Sequence, residues 1–300
     1  MSGLDTAETL SLIIIERNGT MKQRTITGLL LAALFIPVLF FSHTWFFRLV
    51  LAVLSGMCVL EMHITIGCSY KKLLVIPAFL IAVTAPFLAN FMTFGTLLSI
   101  VAIYLVYCLF TMVLSNGEIT AENACVSYAT TAFIALSFAS IVLMRNLEPA
   151  GYVLYIMVFV GGWMCDVSAY FSGVLFGKHK LIPKISPKKT VEGAIGGVVG
   201  SVVSILVFAF LAANIKKVIP FFPIDVILEP NYPMLALAGV GIAIVSQFGD
   251  LTASAIKRCY NVKDYGWIFP GHGGVMDRFD SILAVAPLLY MFARKIAGLF

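Results

Sequence analysis

The residues able to do chemistry in this 300-residue chain crowd between Gln247 and Ser281, a segment dense in both signs of charge between almost purely apolar neighbours. If Asp250 sits on a helix, Ser254 and Lys257 follow at i+4 and i+7, on the same face. Asp277 and Asp280 are spaced i, i+3, so both carboxylates can point one way from the start of the last apolar run. Before them, Pro270-Gly271-His272-Gly273-Gly274 cannot be regular helix. That turn exposes backbone N–H groups just ahead of a helix N-terminus, which makes an anion cradle. Three carboxylates, several cations and a glycine-rich turn suit one task. Hard oxygens hold Mg²⁺, phosphate oxygens and water complete its shell, and the cations offset the remaining phosphate charge. A plainer reading stays open: Asp277 and Asp280 as partners of a helix dipole, Lys257 and Arg258 as snorkelling residues, and the glycines as an ordinary loop.

A second cluster precedes the first. Asp166, Tyr170, Gly173 and Gly177 recur at i, i+4, i+7 and i+11, lining one helical face with an acid, a phenol and two small residues. The Gly173–Gly177 spacing reads as a helix-packing pair. The loop from Gly177 to Gly193 carries Lys178, Lys180, Lys184, Lys188 and Lys189. Lys178 and Lys180 fit a role in setting membrane orientation. Ser186-Pro187-Lys188-Lys189-Thr190, with Glu192, is more patterned and suits phosphate contact.

The elements that must position these groups are membrane helices. Hydrophobic residues make up 60% of the chain and charged ones 12%, with a mean hydropathy of +0.99. Soluble domains carry roughly twice that charged fraction, so the bilayer is the natural solvent. The expected fold is an all-α integral membrane protein, a polytopic bundle of about nine helices of the roughly 20 residues a bilayer requires. Spans are expected at 26–41, 45–60, 73–91, 94–114, 124–144, 152–176, 194–213, 234–255 and 281–300, with Ser42-His43-Thr44 as a tight turn. Residues 1–20 read as an extension ahead of Met21-Lys22-Gln23-Arg24, residues 21–148 as a transmembrane scaffold, and residues 149–300 as the catalytic transmembrane region. Residues 26–115 contain a single carboxylate, Glu61, whereas 160–281 contain Asp166, Glu192, Asp225, Glu229, Asp250, Asp264, Asp277 and Asp280. Acids at membrane depth are functional candidates by default.

With the N-terminus in the cytoplasm, the inner side holds Arg17, Lys22, Arg24, Lys71, Lys72, Lys178, Lys180, Lys184, Lys188, Lys189, Lys257, Arg258, Lys263 and Arg278, 14 of the 20 Lys and Arg. Arg48, Arg145, Lys216, Lys217, Arg294 and Lys295 lie outside, and the positive-inside rule favours this orientation. The same placement accounts for most of the net charge of +5 without a nucleic-acid partner. Six cysteines show no C-x-x-C pair and read as small hydrophobes.

From Ser254 to Asp280 the sequence resembles the phosphatidate cytidylyltransferase (CDP-diglyceride synthetase) family. The elements are Ser254, Lys257-Arg258, Lys263-Asp264, Gly266, Pro270, His272-Gly273-Gly274, Asp277-Arg278 and Asp280. Asp166 with Ala169-Tyr170, and the Ser186 to Thr190 segment, also look like the family, although Val167 follows Asp166 where a Thr is expected. The resemblance covers about residue 150 to the end. It implies a Mg²⁺-dependent enzyme of the cytoplasmic (inner) membrane, with a second metal ion left open, its active site facing the cytoplasm, and a homodimer. Its substrates would be CTP and phosphatidic acid, its products CDP-diacylglycerol and pyrophosphate. Asp250, Asp277 and Asp280 carry over as metal ligands and, with Lys257, as the catalytic set. Asp166, Tyr170, Ser186, Lys188, Lys189, Thr190, Ser254, Arg258, Lys263, Asp264, His272, Gly273, Gly274 and Arg278 carry over as substrate contacts. Three rivals remain: a CTP-dependent polyprenol-type lipid kinase, a CDP-alcohol phosphatidyltransferase (whose D-G-x-x-A-R opening is absent), and an ion-coupled transporter, for which no internal repeat is found.

Overall fold

A chain this apolar must satisfy its backbone within each segment, and the computed structural model does so almost entirely with helices. It describes residues 33, 35–91, 93–147, 150–218, 230–269 and 273–297. Residues 35–40 are helical and end in the expected turn, where Thr44 donates through its N–H (3.0 Å) and its hydroxyl (2.7 Å) to Phe41 O. Eight α-helices follow: α1 Trp45–Thr65, α2 Lys72–Leu88 (continued by a 3₁₀ turn, Ala89–Phe91), α3 Phe94–Leu114, α4 Ala121–Arg145, α5 Gly151–Phe176, α6 Val191–Val218, α7 Tyr232–Cys259 and α8 Met276–Ala297. Seven of these, α1 to α7, are long and apolar enough to cross a membrane. The chain is a multi-pass helical membrane protein. Half of the first expected span and all of residues 1–20 lie outside the described residues, as do Asp225 and Glu229.

α8 starts five residues earlier than the hydropathy run at Ser281 suggested, because Asp277 and Asp280 are absorbed into its first turns. The lysine-rich loop is also more ordered than expected. It holds a short antiparallel hairpin, β1 Lys180–Ile182 and β2 Ser186–Thr190, with Lys180 opposite Thr190 and Ile182 opposite Ser186. Glu192, at the start of α6, ties this hairpin down by accepting from the amides of Lys178 (3.0 Å) and His179 (3.2 Å) and from His179 Nδ1 (2.6 Å).

α4 is the hub, packing on α1, α2, α3, α5 and α8. The tightest pairing is α5 on α6, where helix axes approach because side chains are missing. A Cβ on Gly193 would lie 2.8 Å from Ala169 O, and one on Gly197 3.0 Å from Cys165 O. Gly196 and Gly200 face Ser172 and Ser168 in the same way. Gly173 and Gly177 lie against Thr190, as a packing pair would.

Candidate active site

The polar residues meet at one end of the bundle, where the loops after α1, α3, α5 and α7 gather. On α7 the i, i+4, i+7 face forms as the spacing requires: Ser254 Oγ donates to Asp250 Oδ1 at 3.5 Å, and Lys257 lies one turn further on. The β-hairpin brings Lys189 onto Asp250 as an ion pair. From α8, Ser281 Oγ donates to Asp166 Oδ2 of α5 at 3.0 Å. Asp280 is 8% exposed, and its one hydrogen bond among the described residues comes from the adjacent amide of Ser281, at 2.8 Å. The charges of Asp250, Lys257 and Asp166 all bear on it. The charges of Asp166, Asp250 and Asp280 therefore act on one another, with Asp280 buried and Asp250 a quarter exposed.

Asp277 is differently placed, although it sits only one turn away on the same helix. Its carboxylate accepts from Lys257 Nζ at 2.7 Å, from the amide of Tyr265 at 2.8 Å and from the amide of Gly274 at 3.0 Å. Lys257 is itself buried, 5.1 Å from the ring centroid of Tyr265. The Tyr265 hydroxyl donates to Ala253 O at 2.8 Å. Burial pushes that phenol up from its ordinary value, and the charges of Asp280 and Asp277 push it further, so it stays a neutral donor. Gly273 has φ +81°, where a side chain is strained, and a Cβ there would sit 2.7 Å from Asp277 Oδ2.

The expected anion cradle is altered by this arrangement. The amide of Gly274 is taken by Asp277, and those of Val275 and Met276 by Glu61, at 2.9 and 2.8 Å. The N-terminus of α8 is thus already matched by two protein carboxylates, and these three amides are not left for a phosphate. Pro270, Gly271 and His272 lie outside the described residues.

The remaining expected residues divide. Thr190 is buried and accepts from the amide of Gly193 at 3.1 Å, capping α6. Ser186 lies in β2, next to the hairpin turn. Arg258 is exposed and ties the end of α7 to that turn, donating to Ile185 O (3.4 Å) and Val262 O (3.2 Å). Lys188, Lys263, Asp264 and Arg278 are exposed around the cluster, and the Arg278 charge bears on Asp166. Tyr170 is 67% exposed and packs edge-on against Phe171. Two contributors escaped the sequence reading. Ser281 looked like an ordinary helix residue. Glu61 carried a signal, as the lone acid in a 90-residue apolar stretch, which was assigned to scaffold.

Among the described residues no three His, Cys, Asp or Glu side chains are grouped closely enough to hold a metal ion. The donor chemistry nonetheless fits a hard divalent cation: carboxylate oxygens in mutual repulsion, one of them nearly without a partner, with lysine ammoniums now opposite Asp250 and Asp277.

Comparison with known proteins identifies the family. Residues 22–296 match the sequence profile of the Cytidylyltransferase family. A phosphatidate cytidylyltransferase of Staphylococcus haemolyticus is 33% identical over 271 residues, covering 90% of this chain and 97% of that protein. One from Bacillus subtilis is 34% identical over 279 residues, covering 90% and 96%. One from Staphylococcus aureus is 31% identical over 273 residues, covering 90% and 97%. The matched stretch takes in α1 to α7, all but the last residue of α8 and every residue of the acidic cluster, and the chain belongs to the cytidylyltransferase family.

Proposed function

We propose that this protein transfers CMP from CTP to phosphatidic acid, giving CDP-diacylglycerol and pyrophosphate. One observation carries the reading: near full-length similarity to relatives named for that reaction, in a chain whose buried acids and lysines meet at one end of a membrane bundle. The phosphate monoester of phosphatidic acid is anionic near neutral pH, so its attack needs no obligatory general base. One phosphate oxygen bonds to the α-phosphorus of CTP as the bond to the β-phosphate bridge breaks, and pyrophosphate leaves. The obstacle is repulsion between two highly negative reactants, so catalysis is alignment plus charge neutralisation.

We assign Asp250, Asp277 and Asp280 to hold Mg²⁺, with Asp166 near enough to serve a second ion. Bound there, the ion supplies positive charge against the phosphates. Lys189 and Lys257 are the protein cations closest to these acids and bring the same sign of charge. Asp277 joins the set only by loosening its hold on Lys257. The active end faces the cytoplasm of the cytoplasmic membrane, as the lysine and arginine split favours. A homodimer is part of this proposal, and the exposed apolar stripe of Ile195, Val199, Val203 and Val207 on α6 would face either lipid or a second copy.

The test of activity is purified protein with labelled CTP and phosphatidic acid. CDP-lipid with pyrophosphate supports the reading, whereas CDP with a phosphorylated lipid makes the protein a lipid kinase. Orientation is read from Lys180→Cys in intact cells. Modification by a membrane-impermeant thiol reagent there would reverse it.

A further inference from the structure

We infer that Glu61, in the N-terminal helices, is a positioning residue for the active site. The inference rests on the activity proposed above. Glu61 lies near the end of α1 and is 4% exposed. Both its oxygens are engaged across more than 200 residues of sequence: Oε1 accepts from the amide of Val275 at 2.9 Å and Oε2 from that of Met276 at 2.8 Å. These are orphan N–H groups where α8 begins, and a buried carboxylate there also meets the positive end of the helix dipole. The chain makes room for it: Gly266 and Gly274 both lie against the carboxylate, so that a Cβ on either would collide with it.

Glu61 touches none of Asp166, Asp250 or Asp280 by hydrogen bond. It acts through the start of α8, one turn before Asp280 and next to Asp277. Asp277 fastens the same turn from the other side, through Gly274 and Tyr265. Two carboxylates from distant parts of the chain thus hold the start of α8 in place. An apolar scaffold has no packing reason to bury a charge at this depth, since an unpaired carboxylate there costs several kcal/mol. The charge is retained where it fixes the one helix end that carries two of the site acids.

Glu61→Gln keeps the shape but places an amide N–H₂ against backbone donors. The expected result is a folded protein melting within a few degrees of wild type. Its kcat should fall on the order of tenfold, about 1.4 kcal/mol of barrier, with KM for CTP and phosphatidic acid nearly unchanged. Hydrogen exchange across residues 273–280 should quicken while α2 and α3 exchange as before. Gly274→Ala, which displaces the same carboxylate from the other side, should reproduce both effects, and the double variant should add little to either. Unchanged exchange at 273–280 in both variants would overturn the inference, as would a loss of activity that merely follows a lowered folded fraction. If the wild type made no CDP-lipid at all, the proposed activity would fail, and exchange would still decide the role of Glu61.

Discussion

The α5–α6 seam and the α7–α8 seam are both close helix contacts in one bundle, and only the second adds charged side chains to the glycine approach. α6 presents Gly193, Gly196, Gly197 and Gly200 to Cys165, Ser168, Ala169 and Ser172, so backbones approach because nothing stands between them. No charge enters that seam. α7 and α8 share one such approach, Gly249 against Ala284 and the backbone of Asp280, but they also bring Asp250 and Lys257 on one side to Asp277 and Asp280 on the other. With Asp166, that end of the bundle sets four carboxylates against Lys189, Lys257 and the more distant Arg278. A seam closed by absent side chains is complete and needs nothing further. A seam with more acid than base suits the added positive charge that the proposed Mg²⁺ would bring. The first kind of contact positions; the second groups the residues to which the proposed chemistry is assigned.

The largest effect should come from the acid with least support. Asp280→Asn removes a charge that the surroundings resist, so expression and melting temperature should hold or rise as repulsion from Asp250 and Asp166 is relieved. Turnover should fall on the order of a hundredfold or more, about 3 kcal/mol of barrier. Steady-state assay with a parallel melt in detergent separates the two quantities. Near-normal turnover would remove Asp280 from the chemistry and leave it a helix-end residue.

Asp277→Asn should lose activity and stability together, in contrast to Asp280. It strands the buried ammonium of Lys257, a loss of about 3 kcal/mol or more for a broken buried pair. It also weakens the hold on the amides of Tyr265 and Gly274. Adding Lys257→Met should restore most of the melting temperature but none of the turnover. A single variant that melts like wild type would show the pair to be well hydrated and would narrow the contrast between the two acids.

Much of the fold was visible in the sequence, whereas the contrast between the two seams was hidden for physical reasons. Helices α1 to α7, the Ser42–Thr44 turn and the α7 face of Asp250, Ser254 and Lys257 follow from hydropathy and helical period, which are local properties. The concentration of acids beyond residue 160 located the charged end. Local patterns could not show that Asp277 and Asp280 differ, because the i, i+3 spacing is silent about which carboxylate meets the loop amides. Nor could they pair Lys189 with Asp250 or Glu61 with Val275, contacts made only when distant helices pack. The hairpin at 180–190 escaped because its lysines and prolines read as loop, and a strand pair this short draws its order from Glu192 and Arg258.

The glycine seam should respond in the reverse sense to the charged one. Gly197→Leu puts a side chain against the carbonyl of Cys165 and the methyl of Ala169, obstacles that cannot turn aside. Overpacking of this kind costs about 1–3 kcal/mol, so detergent melting should drop clearly. Activity per folded molecule should fall far less than in Asp280→Asn. Turnover reduced a hundredfold with unchanged melting would mean that this seam, too, carries chemistry.

The smallest effects should lie on the hairpin, where they rank the lysines. Lys189 pairs with Asp250, but the two side chains are 29% and 25% exposed. Solvent and salt screen such a pair, and its contribution to stability should stay under about 1 kcal/mol. Its value lies in delivering a cation to the acids and to an incoming phosphate. Lys189→Ala should therefore raise KM for CTP several-fold with little change in melting. Lys188→Ala, exposed on the adjacent residue of the same strand, should do less, and Lys178→Ala least, since among the described residues Lys178 is held through its backbone amide, by Glu192. Raising the salt concentration should shrink the difference between Lys189→Ala and wild type, because the lost term is a screened charge. If all three variants bound CTP alike, the hairpin would carry positive charge only to fix orientation in the membrane, and the charged seam would end at Asp250.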